Sequence, residues 1–246
     1  MKSNKSILLF LCGIVTLLLA PTLFAASGHY YAQVFDLSGS ISDTELGNAK
    51  PPARLYVRLT PGSTGKIKSF TNNASVPTDL TAWTTNQSTL QSAINNLSTS
   101  SGTTALFDAL VEAADDLGAQ GSATSRELIC FTDLGENDSD ADTLDVLNAM
   151  INNVVVPHII RYQENPIGVD GADANVIAAQ LESIVQARGG KIYVVSSQRE
   201  IEDAIKDIAN NPQLPAITPV GMIILVGLLI LTALYWIYRK KQPVTA

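Results

Sequence analysis

The chain has 246 residues, of which 46% are hydrophobic, and a formal net charge of −7. Once an apolar segment at each end is set aside, the remaining length suits one domain with a full core. The two ends hold five of the 16 basic residues and none of the 23 acidic ones, so the middle keeps 11 basic and 23 acidic residues and a net charge of −12. Such an acidic surface excludes nucleic acid as a partner.

Residues 1–26 have the pattern of a secretory signal peptide. Two lysines precede a long apolar stretch, which ends in the small residues Ala25 and Ala26. This is the order of the charged, hydrophobic and cleavage regions of such a signal. An uncleaved N-terminal anchor is the alternative, but Pro21 and the alanine pair favour cleavage. We therefore expect residues 29–209 to form an exported domain.

Within this domain, strand-like apolar runs alternate with amphipathic, helix-like segments. The first helix is expected at AKPPARLYVRL, opened by Pro51 and Pro52, because a missing N–H costs nothing at the start of a helix. The second strand, KIKSF, is more polar than a buried strand usually is. The alternation predicts an α/β domain in which helices cover both faces of a doubly wound, mostly parallel sheet. The other expected strands are YYAQVF, RELICFT, VVVPHIIRY and KIYVVS, and the other helices are NQSTLQSAINNL, TALFDALVEAADDL, TLDVLNAMINN, ANVIAAQLESIVQARGG and SQREIEDAIKDIA.

Residues 219–238 are predicted to form one transmembrane helix. The segment is uncharged and about long enough to cross a bilayer, and Trp236 and two tyrosines lie near its end. The basic tail that follows, residues 239–246, is expected in the cytoplasm, and the proline-containing residues 210–218 form a linker. Together with the signal peptide, this predicts a single-pass membrane protein whose domain is extracytoplasmic, in the periplasm or at the cell surface.

The end of the linker and the start of this apolar segment also resemble a bacterial C-terminal sorting signal, which runs I-P-T-L before an apolar helix and a basic end. The resemblance implies processing of the tail, as an alternative to a plain membrane anchor. The residues that keep the spacing of the signal are Leu214, Pro215, Ala216, Ile217 and Gly221.

Polar loops are predicted at the ends of two buried strands. Asp36, Ser38 and Ser40 follow the first strand, Asp133 follows RELICFT, and the stretch SGTT (101–104) precedes a helix. Because ligands bind at the carboxyl ends of the strands in such sheets, we expect both aspartates at the same edge. Carboxylates and hydroxyls without histidine or cysteine suit Mg²⁺, with Mn²⁺ or Ca²⁺ as substitutes. The alternative is that these residues only cap helices and close turns.

The three loops resemble the metal-ion-dependent adhesion site of the von Willebrand factor A (VWA) domain, which combines D-x-S-x-S with a threonine and an aspartate from two further loops. SGTTALFDAL is similar to the second loop, with Thr103 in place of a glycine, and FTDLGEN is similar to the third, interrupted by Leu134. The resemblance also implies that an acidic side chain of a protein partner completes the coordination. The ligands it implies are Asp36, Ser38, Ser40, Thr104 and Asp133.

The leading functional hypothesis is a membrane-anchored binding module that captures a protein partner through bound Mg²⁺. The alternative is a structural or assembly component of a bacterial cell-envelope complex, in which the metal mainly stiffens the loops. We do not expect an enzyme, such as a metal-dependent hydrolase, because no general base, histidine or nucleophile is paired with the loops.

Four other features receive mainly structural interpretations. Cys130 lies in the apolar run LICFT and is expected to be buried and inert. His158 lies in an apolar strand and is expected in the core or at an edge. The run NDSDAD lacks the glycine and terminal glutamate of an EF-hand loop and is expected to form a solvated loop and a helix cap. Asp108, one turn into a helix, either supports the site by hydrogen bonds or meets solvent.

Overall fold

The structure, a computed structural model, describes residues 28–72, 77–121, 123–163 and 171–211, and this part of the chain forms six strands and six helices. The strands are β1 (His29–Asp36), β2 (Thr64–Phe70), β3 (Thr78–Asp79), β4 (Ser125–Thr132), β5 (Val156–Tyr162) and β6 (Lys191–Val195). The helices are α1 (Asp43–Leu59), α2 (Gln87–Asn95), α3 (Leu106–Gly118), α4 (Thr143–Asn152), α5 (Gly171–Ala187) and α6 (Gln198–Asn210).

The strands form one sheet in the order β3-β2-β1-β4-β5-β6. All neighbours run parallel except β3, which pairs antiparallel with β2. In this register Asp36 lies opposite Phe70 of β2, and Phe35 lies opposite Phe131 of β4. The carboxyl ends of β1 and β4 therefore meet at one edge of the sheet, and the predicted α/β class with a mostly parallel sheet is confirmed.

Two hydrophobic layers cover the sheet, because successive side chains of a strand point to opposite faces. Ala32 and Val34 of β1 pack with buried residues of α3, α4 and α5. Tyr31 and Phe35 of the same strand pack with buried residues of α1, α2 and α6. The ring of Phe35 also stacks on Phe131, with 4.6 Å between the ring centroids. A core on both faces leaves the rim of the sheet for polar loops.

The prediction for the first helix was wrong. Helix α1 begins at Asp43, eight residues before Pro51, and both prolines lie inside it. Its start is set by a capping box in which Ser42 accepts the N–H of Glu45 and the carboxylate of Glu45 accepts the N–H of Ser42. Two satisfied N–H groups at this end fix the helix there, although the two prolines further along lack a backbone donor and crowd the preceding turn.

The unusual polarity of β2 has a structural cause. Lys66 and Lys68 are buried, but their ammonium groups lie close to carboxylates of β3 and α3. Lys68 Nζ is 2.6 Å from Asp79 Oδ1 and 2.9 Å from Asp116 Oδ2. Buried lysines are tolerated when acids pair with them in this way.

Three smaller predictions concern Cys130, His158 and the acidic run NDSDAD. Cys130 and His158 are both buried, as expected, and burial raises the pKa of the Cys130 thiol. Asp142 caps α4 by accepting the N–H groups of Leu144 and Asp145, so the acidic run does end in a helix cap.

The predicted signal peptide, transmembrane helix and basic tail, and most of the linker, lie outside the described residues. Among the residues that are described, no helix has the length and hydrophobicity to cross a membrane.

Candidate metal centre

The first candidate ligand, Asp36, lies at the end of β1 with both carboxylate oxygens hydrogen-bonded. Oδ1 accepts the backbone N–H of Ser38 at 2.9 Å, which turns the chain immediately after the strand. Oδ2 accepts the hydroxyl of Thr132 at 2.8 Å. The side chain is only 1% exposed. Since Thr132 is the last residue of β4, Asp36 connects the first loop directly to the strand that Asp133 follows.

The two serines of the first loop lie side by side, with 3.1 Å between their Oγ atoms. Gly39, between them, donates its backbone N–H to the carbonyl of Gly102 at 3.2 Å. A methyl group on Gly39 would lie 3.3 Å from that carbonyl oxygen, which is tighter than most contacts of this kind. The small residue therefore allows the first loop to pack against the second, which carries Thr104.

Gly135 marks the point where the three loops converge. A methyl group on Gly135 would lie 3.2 Å from Asp133 Oδ1, 3.4 Å from Thr104 Oγ1 and 3.8 Å from Ser40 Oγ. These oxygens come from the third, second and first loop respectively. Asp133 Oδ1 is held in place by the N–H of Gly135, at 2.9 Å. The structure thus brings side chains from all three predicted loops to one small region at the edge of the sheet.

Leu134, which interrupts the pattern of the third loop, has a defined structural role. Its backbone has a φ of 68°, a value that residues other than glycine rarely adopt. Its side chain is fully buried in the core between the sheet and α3, and its N–H donates to Thr132 Oγ1 at 2.9 Å. The leucine therefore anchors the loop to the core while its neighbours Asp133 and Gly135 lie at the site.

The electrostatics of the site favour a cation. Burial, together with the negative charge of Asp133, raises the pKa of Asp36 to about 7, against the opposing hydrogen bonds from Ser38 and Thr132. Among the described residues, neither Asp36 nor Asp133 forms an ion pair with a lysine or arginine. Two neighbouring carboxylates without a counter-charge fit the chemistry of a divalent cation, which would offset both the burial cost and the mutual repulsion.

The donor set is limited to oxygen. In the described part of the chain, no group of three or more histidine, cysteine, aspartate or glutamate side chains is arranged to hold a metal. The candidate site combines two carboxylates with neutral hydroxyls, a set that suits Mg²⁺ better than Zn²⁺ or copper. The residues that could hold the ion are those predicted from the sequence: Asp36, Ser38, Ser40, Thr104 and Asp133.

Two residues next to these ligands have roles that were not predicted from the sequence. Thr132 was placed in the strand RELICFT and in the third loop without a role of its own, yet it hydrogen-bonds to Asp36. Glu136 was quoted only as part of FTDLGEN, yet its carboxylate accepts the N–H of Phe107 in α3 at 2.8 Å. Asp108 supports the third loop, which was one of the two alternatives, since it accepts the N–H groups of Asp140 and Ala141. The only sequence signal for these roles was their proximity to the motif residues.

Comparison with known proteins agrees with this architecture. Residues 32–136, which contain all five candidate ligands, match the model of the von Willebrand factor type A domain. No curated protein matches the chain. Similar solved structures include an aerotolerance-related membrane protein from Bacteroides fragilis, with 15% identity and a TM-score of 0.57 over 75% of this chain and 100% of that one.

Two proteins of pili have similar structures. The pilus adhesin SpaC from Lactobacillus rhamnosus GG has 13% identity and a TM-score of 0.57, over 75% of this chain and 30% of the adhesin. The von Willebrand factor domain of the type V pili tip protein Mfa5 from Porphyromonas gingivalis has 14% identity and a TM-score of 0.53, over 75% of this chain and 94% of that chain. At these identities the likeness concerns the fold. The described domain therefore has the α/β fold of a von Willebrand factor A domain, and the family model matches the part of it that holds the candidate ligands.

Proposed function

We propose that this chain is a membrane-anchored, extracytoplasmic VWA domain that captures a protein partner through a divalent cation, with Mg²⁺ as the favoured ion. The observation that carries the proposal is the convergence of Ser40, Thr104 and Asp133 oxygens around one point next to the buried carboxylate of Asp36. Residues that merely closed separate turns would have no reason to meet there. The proposed ligands are Asp36, Ser38, Ser40, Thr104 and Asp133.

The charge balance of these ligands explains why a partner's carboxylate would bind. The hydroxyls are neutral, so Asp36 and Asp133 supply the only negative charges of the proposed set. A divalent ion that is not over-neutralised stays electrophilic toward a further oxygen ligand. An aspartate or glutamate of a partner protein supplies a charged oxygen of the type that Mg²⁺ prefers. The protein's own residues hold and orient the ion, and the partner completes its coordination.

The two pilus proteins among the similar structures support a role in attachment. The predicted signal peptide and the apolar segment 219–238 support the proposed location outside the cytoplasm, with the C terminus inside. We propose a binding module and not an enzyme, because the two histidines of the chain are remote from the site. His29 begins the strand that Asp36 ends, and His158 is influenced by Glu127, the ion-pair partner of His29.

The burial of Asp36 favours a second candidate function. A carboxylate that is 1% exposed is out of a partner's reach, and its raised pKa shows that ionisation is costly without a cation. A bound ion would therefore also stabilise the domain, which is the role expected of a structural component of a cell-envelope complex.

Calorimetric titration of the purified full-length chain with Mg²⁺ and Mn²⁺ tests the proposal when it is combined with capture of binding proteins with and without a chelator. We expect wild-type protein to bind the ion, Asp36→Ala to lose it, and the chelator to reproduce the loss of capture. Unchanged metal binding by Asp36→Ala would show that the loops only form turns and caps. Lost metal binding with unchanged capture would favour the structural role.

A further inference from the structure

The second and third loops of the site are joined along their length by hydrogen bonds. Thr104 donates its N–H to Asn137 Oδ1 at 2.8 Å, and its carbonyl accepts the N–H of Asn137 at 3.0 Å. The hydroxyl of Thr103 donates to Asp138 Oδ2 at 2.8 Å, a contact that a glycine at this position could not make. The loop that carries Thr104 is therefore fixed directly to the loop that carries Asp133.

Glu136 extends this connection into α3. One carboxylate oxygen, Oε2, accepts the N–H of Phe107 at 2.8 Å and the hydroxyl of Ser139 at 2.7 Å. The other, Oε1, accepts the N–H of Ser139 at 2.9 Å and the N–H of Asp138 at 3.1 Å. With both oxygens occupied by these donors, Glu136 holds protein groups together and is not itself one of the oxygens that point into the site.

Asp108 makes the reciprocal connection from the helix to the loop. Its carboxylate accepts the N–H of Asp140 at 3.0 Å and the N–H of Ala141 at 2.8 Å. Its own N–H donates to the hydroxyl of Ser139 at 3.1 Å. Glu136 in the third loop thus binds the start of α3, and Asp108 in α3 binds the third loop, with Ser139 between them. We call these two carboxylates and their hydrogen bonds the clasp.

The clasp also has an electrostatic effect. Helix α3 begins two residues after Thr104, so its N-terminal N–H groups and the positive end of its dipole lie beside the proposed cation. The capping residue, Ala105, has no side-chain oxygen to satisfy those groups. Glu136 satisfies the N–H of Phe107 from outside the helix, and Asp108 adds a second negative charge in the first turn. Both carboxylates therefore offset the positive charge at this end of the helix, which would otherwise repel a cation.

We propose that Glu136 and Asp108 are positioning residues, which hold Thr104 and Asp133 as one preassembled half of the metal site and offset the positive end of α3. This inference rests on the proposed metal-binding function. It assigns the two carboxylates a role in metal affinity without direct coordination. Groups that orient the ligands of a metal typically change its affinity about 10- to 100-fold when they are replaced, and a loss of this size is expected here.

The experiment compares four full-length proteins: the wild type, Glu136→Gln, Asp108→Asn and the control Glu112→Gln. Glu112 lies one turn beyond Asp108 in α3 but is near Lys68 and not the loop, so its replacement removes the same charge without touching the clasp. Affinity for Mg²⁺ is measured by calorimetry. The electron paramagnetic resonance spectrum of Mn²⁺ at saturation reports the ligand geometry, and amide hydrogen exchange of the metal-stripped protein reports the clasp itself.

We expect both clasp variants to lose about 10- to 100-fold in Mg²⁺ affinity, to show an altered Mn²⁺ spectrum, and to exchange the amides of Phe107 and Ala141 faster. The control should match the wild type in all three measurements. Circular dichroism checks folding, and Ser139→Ala, which removes only the shared hydroxyl, provides a milder variant if the others unfold.

Two results would overturn the inference in distinguishable ways. If the wild type binds Mg²⁺ and the folded clasp variants keep its affinity and spectrum, the positioning role is wrong and the proposed function stands. If the wild type binds neither Mg²⁺ nor Mn²⁺, the proposed function fails and the positioning role fails with it.

Discussion

The hydroxyl of Thr132 donates a 2.8 Å hydrogen bond to Asp36, although the two residues are 96 positions apart in the chain. The bond crosses from β4 to β1 at the carboxyl edge of the sheet. It fixes the buried carboxylate next to the residue that precedes Asp133, so the parallel pairing of two strands also sets the relation between the two acidic candidate ligands. The geometry of the proposed site is therefore a property of the sheet as much as of the loops.

Asp36→Asn should weaken Mg²⁺ binding far more than Ser38→Ala. The first change removes one of only two negative charges of the proposed site and keeps the shape of the side chain, whereas the second removes a neutral hydroxyl. We expect a loss of at least about 100-fold for Asp36→Asn, equivalent to about 2.8 kcal/mol, and a clearly smaller loss for Ser38→Ala. Calorimetric titration of the variants side by side measures both, and equal losses would contradict the assignment of Asp36 as a charged ligand.

The stability of the metal-stripped protein should fall as the pH rises from about 4 to about 7. Burial, with the added effect of Asp133, raises the pKa of Asp36 to about 7 in the folded protein, while an unfolded aspartate titrates near 4. Between these values the folded state keeps a proton that the unfolded state has released, so the free energy of unfolding decreases with pH, by at most about 1.4 kcal/mol per unit for this group.

Urea denaturation of metal-stripped wild type and Asp36→Asn, at about pH 5 and about pH 7, isolates this contribution. The difference between the proteins matters, because other groups titrate equally in both. Asp36→Asn should lose less stability than the wild type over this interval and should be the more stable protein near neutral pH. Identical pH dependence in the two proteins would show that Asp36 ionises normally in the folded state.

The sequence predicted the sheet and the candidate ligands because both depend on local patterns. Apolar runs that alternate with amphipathic segments specify strands and helices, and the D-x-S-x-S spacing is contained within five residues. The clasp could not be predicted in this way, since Glu136 and Phe107 are brought together only by the folded loops. The start of α1 was missed for a different reason: Pro51 gave a visible signal, and the capping box at Ser42 outweighed it.

Asp116→Ala should destabilise the domain more than Lys68→Met. Asp116 pairs with both buried lysines of β2, at 2.6 Å from Lys66 and 2.9 Å from Lys68, so its loss leaves two buried ammonium groups with fewer partners. We expect a cost of about 3 kcal/mol for Asp116→Ala, the lower end for breaking a buried ion pair, because Asp79 still contacts both lysines. Lys68→Met keeps most of the buried volume, and Asp79, which is half exposed, keeps its ion pair with Lys66. Denaturation curves measure both effects, and the reverse order would contradict this account of the polar strand.

Gly135→Ala should weaken metal binding while it leaves the domain folded. The added methyl group would lie 3.2 Å from Asp133 Oδ1 and 3.4 Å from Thr104 Oγ1, so it would enter the space between two proposed ligands. Gly135 is not among the residues with a positive φ, and alanine can therefore adopt its backbone conformation without the strain of the left-handed region. The effect should consequently appear in the affinity for Mg²⁺ and not in the free energy of unfolding.

The matched control for this variant is Gly47→Ala, since a methyl group there would meet no atom within 4 Å. Gly47 lies on the exposed side of α1, and replacing a helical glycine with alanine is expected to stabilise the protein by up to about 1 kcal/mol. Its affinity for Mg²⁺ should equal that of the wild type. If Gly135→Ala also binds Mg²⁺ like the wild type, the ion does not occupy the space where the oxygens of Asp133, Thr104 and Ser40 converge, and the proposed site is wrong. If Gly135→Ala loses both stability and affinity, the methyl group has displaced the third loop, and crystallography of the variant would show the shift of Asp133.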